Sequence, residues 1–170
     1  MKKVLLAIIM AFATFYMLSL VSLAETENGI VYNISGGKAY ITGYEGDAVE
    51  LIIPDTLGNC PVTRIDAEAF YNCGSIESIV IPNSVENIGL DAFYNCRNLQ
   101  DITIGNGIKV IGKDAFKYTG WVNNDSNWDN YCCYIGDYLV AANKELSGKV
   151  DIRAGTKVIG SGVFTDCKGL

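Results

Sequence analysis

The 170-residue sequence contains no histidine and only three prolines, and its basic side chains are outnumbered by acidic ones. Without histidine the chain cannot form a Ser-His-Asp or Cys-His catalytic arrangement, a His-ligated metal site or a His-based pH switch. It also lacks any C-x-x-C pair, so a zinc site is not expected. The 13 Lys and Arg residues against 19 Asp and Glu give a formal net charge of −6. This balance argues against nucleic acid or an anionic membrane as a partner, because both require clustered cations.

The longest apolar run lies at the N-terminus. Lys2 and Lys3 precede Val4, and the chain then stays almost entirely apolar as far as the small residue Ala24. This pattern is typical of a secretory signal peptide and predicts residues 1–24 as the signal, with cleavage after Ala24. An uncleaved anchor is the alternative, since about 20 apolar residues can span a bilayer, and it would be the only contact with a membrane. Cleavage leaves 11 basic and 19 acidic side chains, a net charge of −8.

An internal repeat organises the rest of the chain. Residues 72–94 and 95–117 align without a gap, and ten of the 23 positions are identical. The same phase extends upstream to residue 51, with five extra residues around 58–61, and downstream to residue 167 at an offset of 48. About four units are therefore expected.

Each unit has the pattern of a short strand followed by turns. Residues 79–81 and 102–104 alternate β-branched side chains, which predicts strands, and residues 91–93 and 114–116 have room for one helical or 3₁₀ turn. A unit of about 23 residues cannot bury its apolar side chains alone, but stacked units can. The sequence therefore predicts an α/β-type repeat solenoid made mostly of short β-strands with short 3₁₀ or helical turns.

The repeat resembles the BspA-type leucine-rich repeat. The residues that carry this resemblance are Cys73, Ile76, Ile79, Ile81, Pro82, Val85, Ile88, Gly89, Ala92 and Phe93. The resemblance implies a leucine-rich-repeat superhelix over residues 49–170, interrupted by a hairpin-like insertion at about 119–148. It also implies an exported bacterial protein, secreted or on the cell surface, in a family whose characterised members are adhesins that bind host or matrix proteins.

The two ends of the repeat array differ. Residues 25–48 contain two alternating segments separated by Gly36 and Gly37, which predicts an N-terminal β-hairpin that caps the first unit. The sequence stops after Leu170, where another strand should begin. We expect a fragment of a longer array, and the alternative is an open end that pairs with another chain.

The strand side chains that point away from the core are expected to form a concave recognition face for a protein ligand, unless they are only a solvated sheet surface. By alternation these are Glu50, Ile52, Ser78, Val80, Asp101, Thr103, Asp151 and Arg153. Their acidic, small and β-branched character suits a polar or basic partner.

The insertion holds a second candidate site, rich in aromatic side chains among amides and carboxylates. Its members are Trp121, Trp128, Tyr131, Tyr134 and Tyr138. Such a mixture can stack on sugar rings, which makes carbohydrate an alternative ligand. The competing interpretation is that the tyrosines form cross-strand pairs covering the side of the solenoid.

The six cysteines divide into two groups of three. Cys73, Cys96 and Cys167 occupy one repeat position, where buried free thiols are expected to stack. The others, Cys60, Cys132 and Cys133, lie outside that register and could include one disulfide.

No catalytic residue, cofactor or metal is predicted. Asp125, Asn127 and Asp129 have the spacing that begins an EF-hand loop, but Asn130 and Gly136 replace the glycine and glutamate that the loop requires. No carboxylate pair is marked out for acid and base chemistry, so we expect a binding module and not an enzyme. The alternatives are a carbohydrate-binding module and a structural spacer that displays another domain.

Overall fold

The computed structural model describes residues 24–170, so the predicted signal peptide lies outside the described residues except for Ala24. Within this range the regular structure consists almost entirely of short strands. They are β1 (Glu25–Glu27), β2 (Ile30–Ser35), β3 (Lys38–Tyr44), β4 (Glu50–Ile52), β5 (Thr56–Leu57), β6 (Cys60–Ile65), β7 (Ser78–Ile81), β8 (Asn87–Ile88), β9 (Asp101–Ile104), β10 (Val110–Ile111), β11 (Trp128–Asp129), β12 (Cys132–Ile135), β13 (Tyr138–Ala142) and β14 (Val158–Ile159). One 3₁₀ helix spans Asp125–Asn127.

Two parallel sheets hold the successive coils of the chain together. In one, β4, β7 and β9 lie side by side, with Glu50 paired to Ser78 and Ser78 paired to Asp101. In the other, β6, β8 and β10 pair in the same parallel sense, with Arg64 beside Asn87 and Asn87 beside Val110. The 23-residue repeat is therefore one coil of a β-solenoid, because equivalent positions of neighbouring coils become strand partners.

The five extra residues of the first unit form a local hairpin. Strand β5 pairs antiparallel with the start of β6, with Thr56 opposite Pro61 and Leu57 opposite Cys60. The extra length is taken up between β4 and β6, so both parallel sheets keep their register. These five extra residues consequently leave the stacking of the coils intact.

The segments predicted as helical or 3₁₀ turns are hydrogen-bonded turns instead. In the middle coil, Asp91 and Asn95 have positive φ angles of 52° and 61°, which a helix does not allow. The amide of Phe93 donates to the carbonyl of Ala115 in the next coil at 2.7 Å. An α/β-type solenoid is not confirmed, because the described residues contain no α-helix. The turns carry only single local hydrogen bonds, such as that from the amide of Tyr94 to the carbonyl of Asp91 at 3.0 Å, beside the hydrogen bonds between coils.

In the two complete units, Gly89 and Gly112 follow the second strand and permit close stacking of the backbone. A Cβ atom at Gly112 would clash with backbone atoms of Gly89 and Leu90 in the preceding coil. The amide of Gly112 donates to the carbonyl of Ile88 at 2.8 Å in this tight contact. The Ile-Gly step of these two units is thus explained by the short distance between the coils at Gly89 and Gly112.

The core is a lattice of aliphatic and aromatic side chains that repeat from coil to coil. Phe93 is fully buried between Phe70 and Phe116, with ring centroids 4.9 Å and 5.2 Å apart. Tyr44 of β3 lies 5.5 Å from Phe70 and extends the column toward the N-terminal hairpin. The stack is therefore continuous from the hairpin through three coils.

The hairpin of β2 and β3 turns at Gly36 and Gly37 and extends the β6 sheet through a parallel pairing of β3 with β6. A second hairpin of β12 and β13 stands in the same relation to β14, with Tyr138 beside Val158 and Leu139 beside Ile159. The insertion therefore starts a second stack in the way that the N-terminal hairpin starts the first.

The second stack has its own small core. Cys132, Tyr134 and Leu139 are buried there against partly buried side chains that include Phe164. The sequence places Phe164 in register with Phe116, but it packs in this separate cluster because the second hairpin intervenes. The structure is a β-solenoid of about five turns, so the expected count of four units is not confirmed. No helix in residues 24–170 is both long enough and apolar enough to cross a bilayer.

Candidate protein-binding surface

Six of the eight residues predicted for the concave face come together on one side of the β4–β7–β9 sheet. We call this set the sheet face: Glu50, Ile52, Ser78, Val80, Asp101 and Thr103. The alternation of the strands turns Leu51, Ile79 and Ile102 into the core, so their neighbours in the sequence point outward.

One row of the sheet face is apolar and exposed. Ile52 is 72% exposed and Val80 is 38% exposed, and the two are directly paired across β4 and β7. Thr103 continues the row on β9 and is also exposed. Branched side chains in contact on a rigid sheet lose little conformational freedom when a partner covers them.

The parallel row is acidic at both ends. Glu50 and Asp101 are exposed and flank the half-buried Ser78. Within residues 24–170, neither carboxylate forms an ion pair. The two rows lie two residues apart along each strand, about 6.6 Å at a rise of about 3.3 Å per residue, so one ligand segment can contact both.

Asp151 and Arg153 do not belong to this surface, and their prediction was wrong. They lie in a segment without strand structure, because the second hairpin displaces the fourth strand that the repeat phase predicts. The guanidinium of Arg153 lies 4.0 Å from the ring centroid of Tyr134, and its Nη2 donates to the carbonyl of Gly136 at 2.8 Å. Asp151 pairs with Lys149 at 2.9 Å.

Two of the five aromatic residues of the insertion are buried, so the five do not form one open platform for a sugar. Tyr134 and Tyr138 are 5% and 2% exposed, so their assignment to a ligand surface is wrong. The hydroxyl of Tyr138 donates to the carbonyl of Gly105 at 2.8 Å, which ties the hairpin to the preceding coil. Burial against the solenoid satisfies both their apolar rings and their polar tips.

The two tryptophans of the insertion are also bound into the structure. Nε1 of Trp121 donates to the carbonyl of Tyr134 at 2.9 Å, and Nε1 of Trp128 donates to the carbonyl of Val122 at 2.8 Å. Both rings are half-buried, whereas Tyr131 is 54% exposed. Of the five aromatic residues, only Tyr131 stands largely in solvent.

All six cysteines, which lie within the described residues, are free thiols, so no disulfide joins Cys60, Cys132 and Cys133. Burial raises the pKa of the Cys96 thiol to about 12, and its Sγ donates to the carbonyl of Phe70 at 3.0 Å. Burial likewise raises the pKa of Cys133 to about 12. Such thiols remain protonated and pack as small apolar side chains.

Sequence reasoning missed a row of tyrosines on the outside of the turns. Tyr71 and Tyr94 are stacked with centroids 5.2 Å apart and planes 3° apart, and Tyr118 meets Tyr94 edge-on at 5.2 Å. The 23-residue offset between Tyr71 and Tyr94 signals the pair. Tyr118 is one residue out of that phase, so its contact emerges only from the folded turn.

The chain matches a protein-family model over most of its length. The model described as the BspA type leucine rich repeat region matches residues 53–170 in six copies. It covers more than half of the chain. No curated protein matches the chain significantly.

Several solved structures share the fold. A leucine-rich repeat protein of T. pallidum superposes with a TM-score of 0.57 at 24% identity, over 87% of this chain and 58% of that protein. A leucine-rich repeat protein of Bacteroides ovatus gives a TM-score of 0.53 at 23% identity, over 86% of this chain and 39% of that one. A leucine-rich cell surface protein of Faecalibacterium prausnitzii gives 0.50 at 33% identity, over 56% and 28%. The chain thus spans less than two thirds of each of these proteins.

Proposed function

Because the chain belongs to the BspA-type leucine-rich repeat family, we propose that it is an exported binding module that docks another protein on its sheet face. Leucine-rich repeats are a typical non-enzymatic binding scaffold, which agrees with the absence of histidine from the sequence. The observation that carries the proposal is the exposed pair Ile52 and Val80 on a rigid parallel sheet. An apolar centre with a polar rim is the usual composition of a protein interface.

The charges of the sheet face define the partner further. Glu50 and Asp101 are exposed carboxylates without a cation beside them in residues 24–170. A segment that presents Lys or Arg beside an aliphatic side chain would satisfy both rows at once. The net charge of −8 for residues 25–170 would also speed the approach of such a basic partner.

Export rests on the N-terminal sequence and on one relative. The run from Val4 to Ala24 after two lysines is that of a signal peptide, and the F. prausnitzii relative is described as a cell surface protein. Expression in a bacterial host and N-terminal sequencing of the protein in the medium or at the cell surface should give Glu25 as the first residue. A cytoplasmic product that begins at Met1 would contradict export.

Binding is tested by immobilising the protein and screening purified host matrix proteins and proteins from neighbouring bacteria, with glycans in parallel. Val80→Asp should lower the affinity for a genuine protein ligand at least tenfold, because it places a charge in the apolar row. Val110→Asp is the matched control, since Val110 is an exposed valine, 47% accessible, on the other parallel sheet.

Charge complementarity is tested on the same ligand. Glu50→Lys with Asp101→Lys should slow association and remove most of the dependence of the association rate on salt. Equal effects of Val80→Asp and Val110→Asp would place the binding site elsewhere. The absence of binding to every protein and glycan screened would favour a structural spacer.

A further inference from the structure

A cleft of about 260 Å³ opens where the second stack meets the last coil of the first. We call it the junction cleft. One side is the turn of the third coil, and the other side consists of β13 and the turn that follows β14. It shares no residue with the sheet face.

Apolar side chains line part of the junction cleft and are only half covered. Val122, Val140 and Val163 line it, and each is partly exposed. Trp128 also lines it, with its indole held in place by the hydrogen bond to Val122. Tyr118 lines the opposite side and is 46% exposed. Aromatic and aliphatic walls of this kind bind a flat or ring-shaped molecule.

The rim of the junction cleft is basic in a chain that is acidic elsewhere. Lys113, Lys117 and Lys144 lie on it. Lys117 is paired with Asp114 at 3.4 Å, while Lys113 and Lys144 are exposed and have no ion pair within residues 24–170. Asp166 is the only other carboxylate in the lining. The cleft therefore carries a net charge of +1, whereas residues 25–170 carry −8.

We propose that the junction cleft binds an acidic sugar, with its ring against Trp128 and Tyr118 and its carboxylate between Lys113 and Lys144. The volume of about 260 Å³ falls just below the roughly 300–1,000 Å³ found for small-molecule sites, which suits one sugar ring and not an oligosaccharide. A carboxylate accepts strong hydrogen bonds from lysine ammonium groups, and aromatic faces stack on the C–H side of a pyranose. The site is independent of the proposed protein-binding surface.

The proposal is tested by titrating the protein with D-glucuronic acid and N-acetylneuraminic acid, using glucose and N-acetylglucosamine as neutral controls. Methyl ¹H–¹³C NMR spectra should show saturable shifts at Val140 and Val163 with at least one of the acids and none with the neutral sugars. The affinity should fall as NaCl is added, because the rim lysines are exposed.

A double variant, Lys113→Gln with Lys144→Gln, should weaken binding roughly tenfold, because both ammonium contacts are lost. The control pair Lys38→Gln with Lys168→Gln makes the same change of net charge at exposed lysines that do not line the cleft, and it should change the affinity less than twofold. Capture of a protein ligand on the sheet face should be unaffected by either pair.

Three outcomes would overturn the proposal. The first is the absence of any shift at Val140 and Val163 with both acids at 20-fold the protein concentration or at ~10 mM. The second is equal binding of acidic and neutral sugars, and the third is equal weakening by the two lysine pairs. Shifts caused by a peptide with a free C-terminal carboxylate, in the absence of shifts from either sugar, would assign the cleft to a protein terminus instead.

Discussion

Replacement of Phe93 by alanine tests whether the stacked phenylalanines hold the coils together. Phe93 is 0% exposed and contacts one ring on each side, at 4.9 Å and 5.2 Å. In a solenoid each coil contacts only its neighbours, so a cavity in the middle coil weakens two interfaces at once. We therefore expect Phe93→Ala to be among the most damaging single substitutions in the first stack.

The magnitude follows from the size of the side chain and from the rigidity of its surroundings. Truncation of a buried phenylalanine to alanine lowers the free energy of unfolding by about 3–5 kcal/mol. The backbone cannot close the cavity easily, because the amides of Phe70 and Phe93 donate to carbonyls of the next coils at 2.8 Å and 2.7 Å. The loss should thus lie near the upper end, at about 4–5 kcal/mol, out of a total of about 5–15 kcal/mol for a domain.

Tyr94→Ala is the matched control. Tyr94 is the next residue in the same coil and also contacts a ring on each side, but it is half-buried on the outside of the turn. Loss of two exposed ring contacts should cost about 1–2 kcal/mol. Urea unfolding followed by the fluorescence of Trp121 and Trp128 measures both variants, and circular dichroism shows whether both stacks unfold together.

A loss below about 2 kcal/mol for Phe93→Ala, or an equal loss for the two variants, would refute the reasoning. The first result would mean that the coil collapses around the cavity. The second would mean that the outer tyrosine row holds the coils as strongly as the core does. If Phe93→Ala does not fold, Phe93→Leu gives a smaller loss of the same origin and keeps the comparison measurable.

Three further predictions concern the backbone and the thiols. Gly112→Ala should destabilise the protein by more than about 2 kcal/mol, because its Cβ would meet the backbone of the preceding coil. Gly74 faces open space, so Gly74→Ala should change the free energy of unfolding by less than about 0.5 kcal/mol in the same urea experiment. Equal losses would contradict the close stacking. At pH 8 a thiol reagent should label half-exposed Cys60 in the folded protein well before buried Cys96 and Cys133. The pKa of about 12 for Cys96 and Cys133 makes their thiolate fraction roughly a thousandfold smaller than that of a thiol with the ordinary pKa of 9.0. Uniform labelling would contradict the burial. Because the pKa values of Cys96 and Cys133 are raised in the folded state, the stability contributed by the protonated thiols is complete below pH 9 and is lost as the pH rises from 9 to 12. The melting temperature should therefore fall across that interval. A melting temperature that does not change would show that the thiols are not buried.

The family and the periodic core could be predicted from the sequence. The resemblance to the BspA-type repeat is confirmed, and the 23-residue offset correctly pairs Ile79 with Ile102 and Phe93 with Phe116. These predictions succeed because the chain returns to the same place after each coil, so one alignment specifies many contacts. The expectation of helical turns is not confirmed, because three residues are too few to distinguish a helical turn from one with positive φ angles such as that of Asp91.

The positions of the candidate-site residues also followed from the sequence in the complete repeats but not around the insertion. Six residues of the sheet face follow from strand alternation within complete repeats, since a pleated strand turns every second side chain outward. Asp151 and Arg153 were misplaced because the repeat phase after the insertion does not say which strand will be the neighbour. The aromatic pattern of the insertion allowed two interpretations, an open platform and a hairpin that covers the side of the solenoid, and the burial of Tyr134 and Tyr138 supports the second.

The sequence by itself determined that the chain stacks into a solenoid, which side chains fill its periodic core and which face of the complete repeats is exposed. These properties depend on local alternation and on a fixed repeat length. Only the tertiary structure decided that the insertion starts a second stack and that a basic cleft lies at the junction. Lys113 and Lys144 are 31 residues apart and belong to no common period. Their proximity depends on how one stack packs against the other, and packing between non-equivalent segments leaves no periodic signal in the chain.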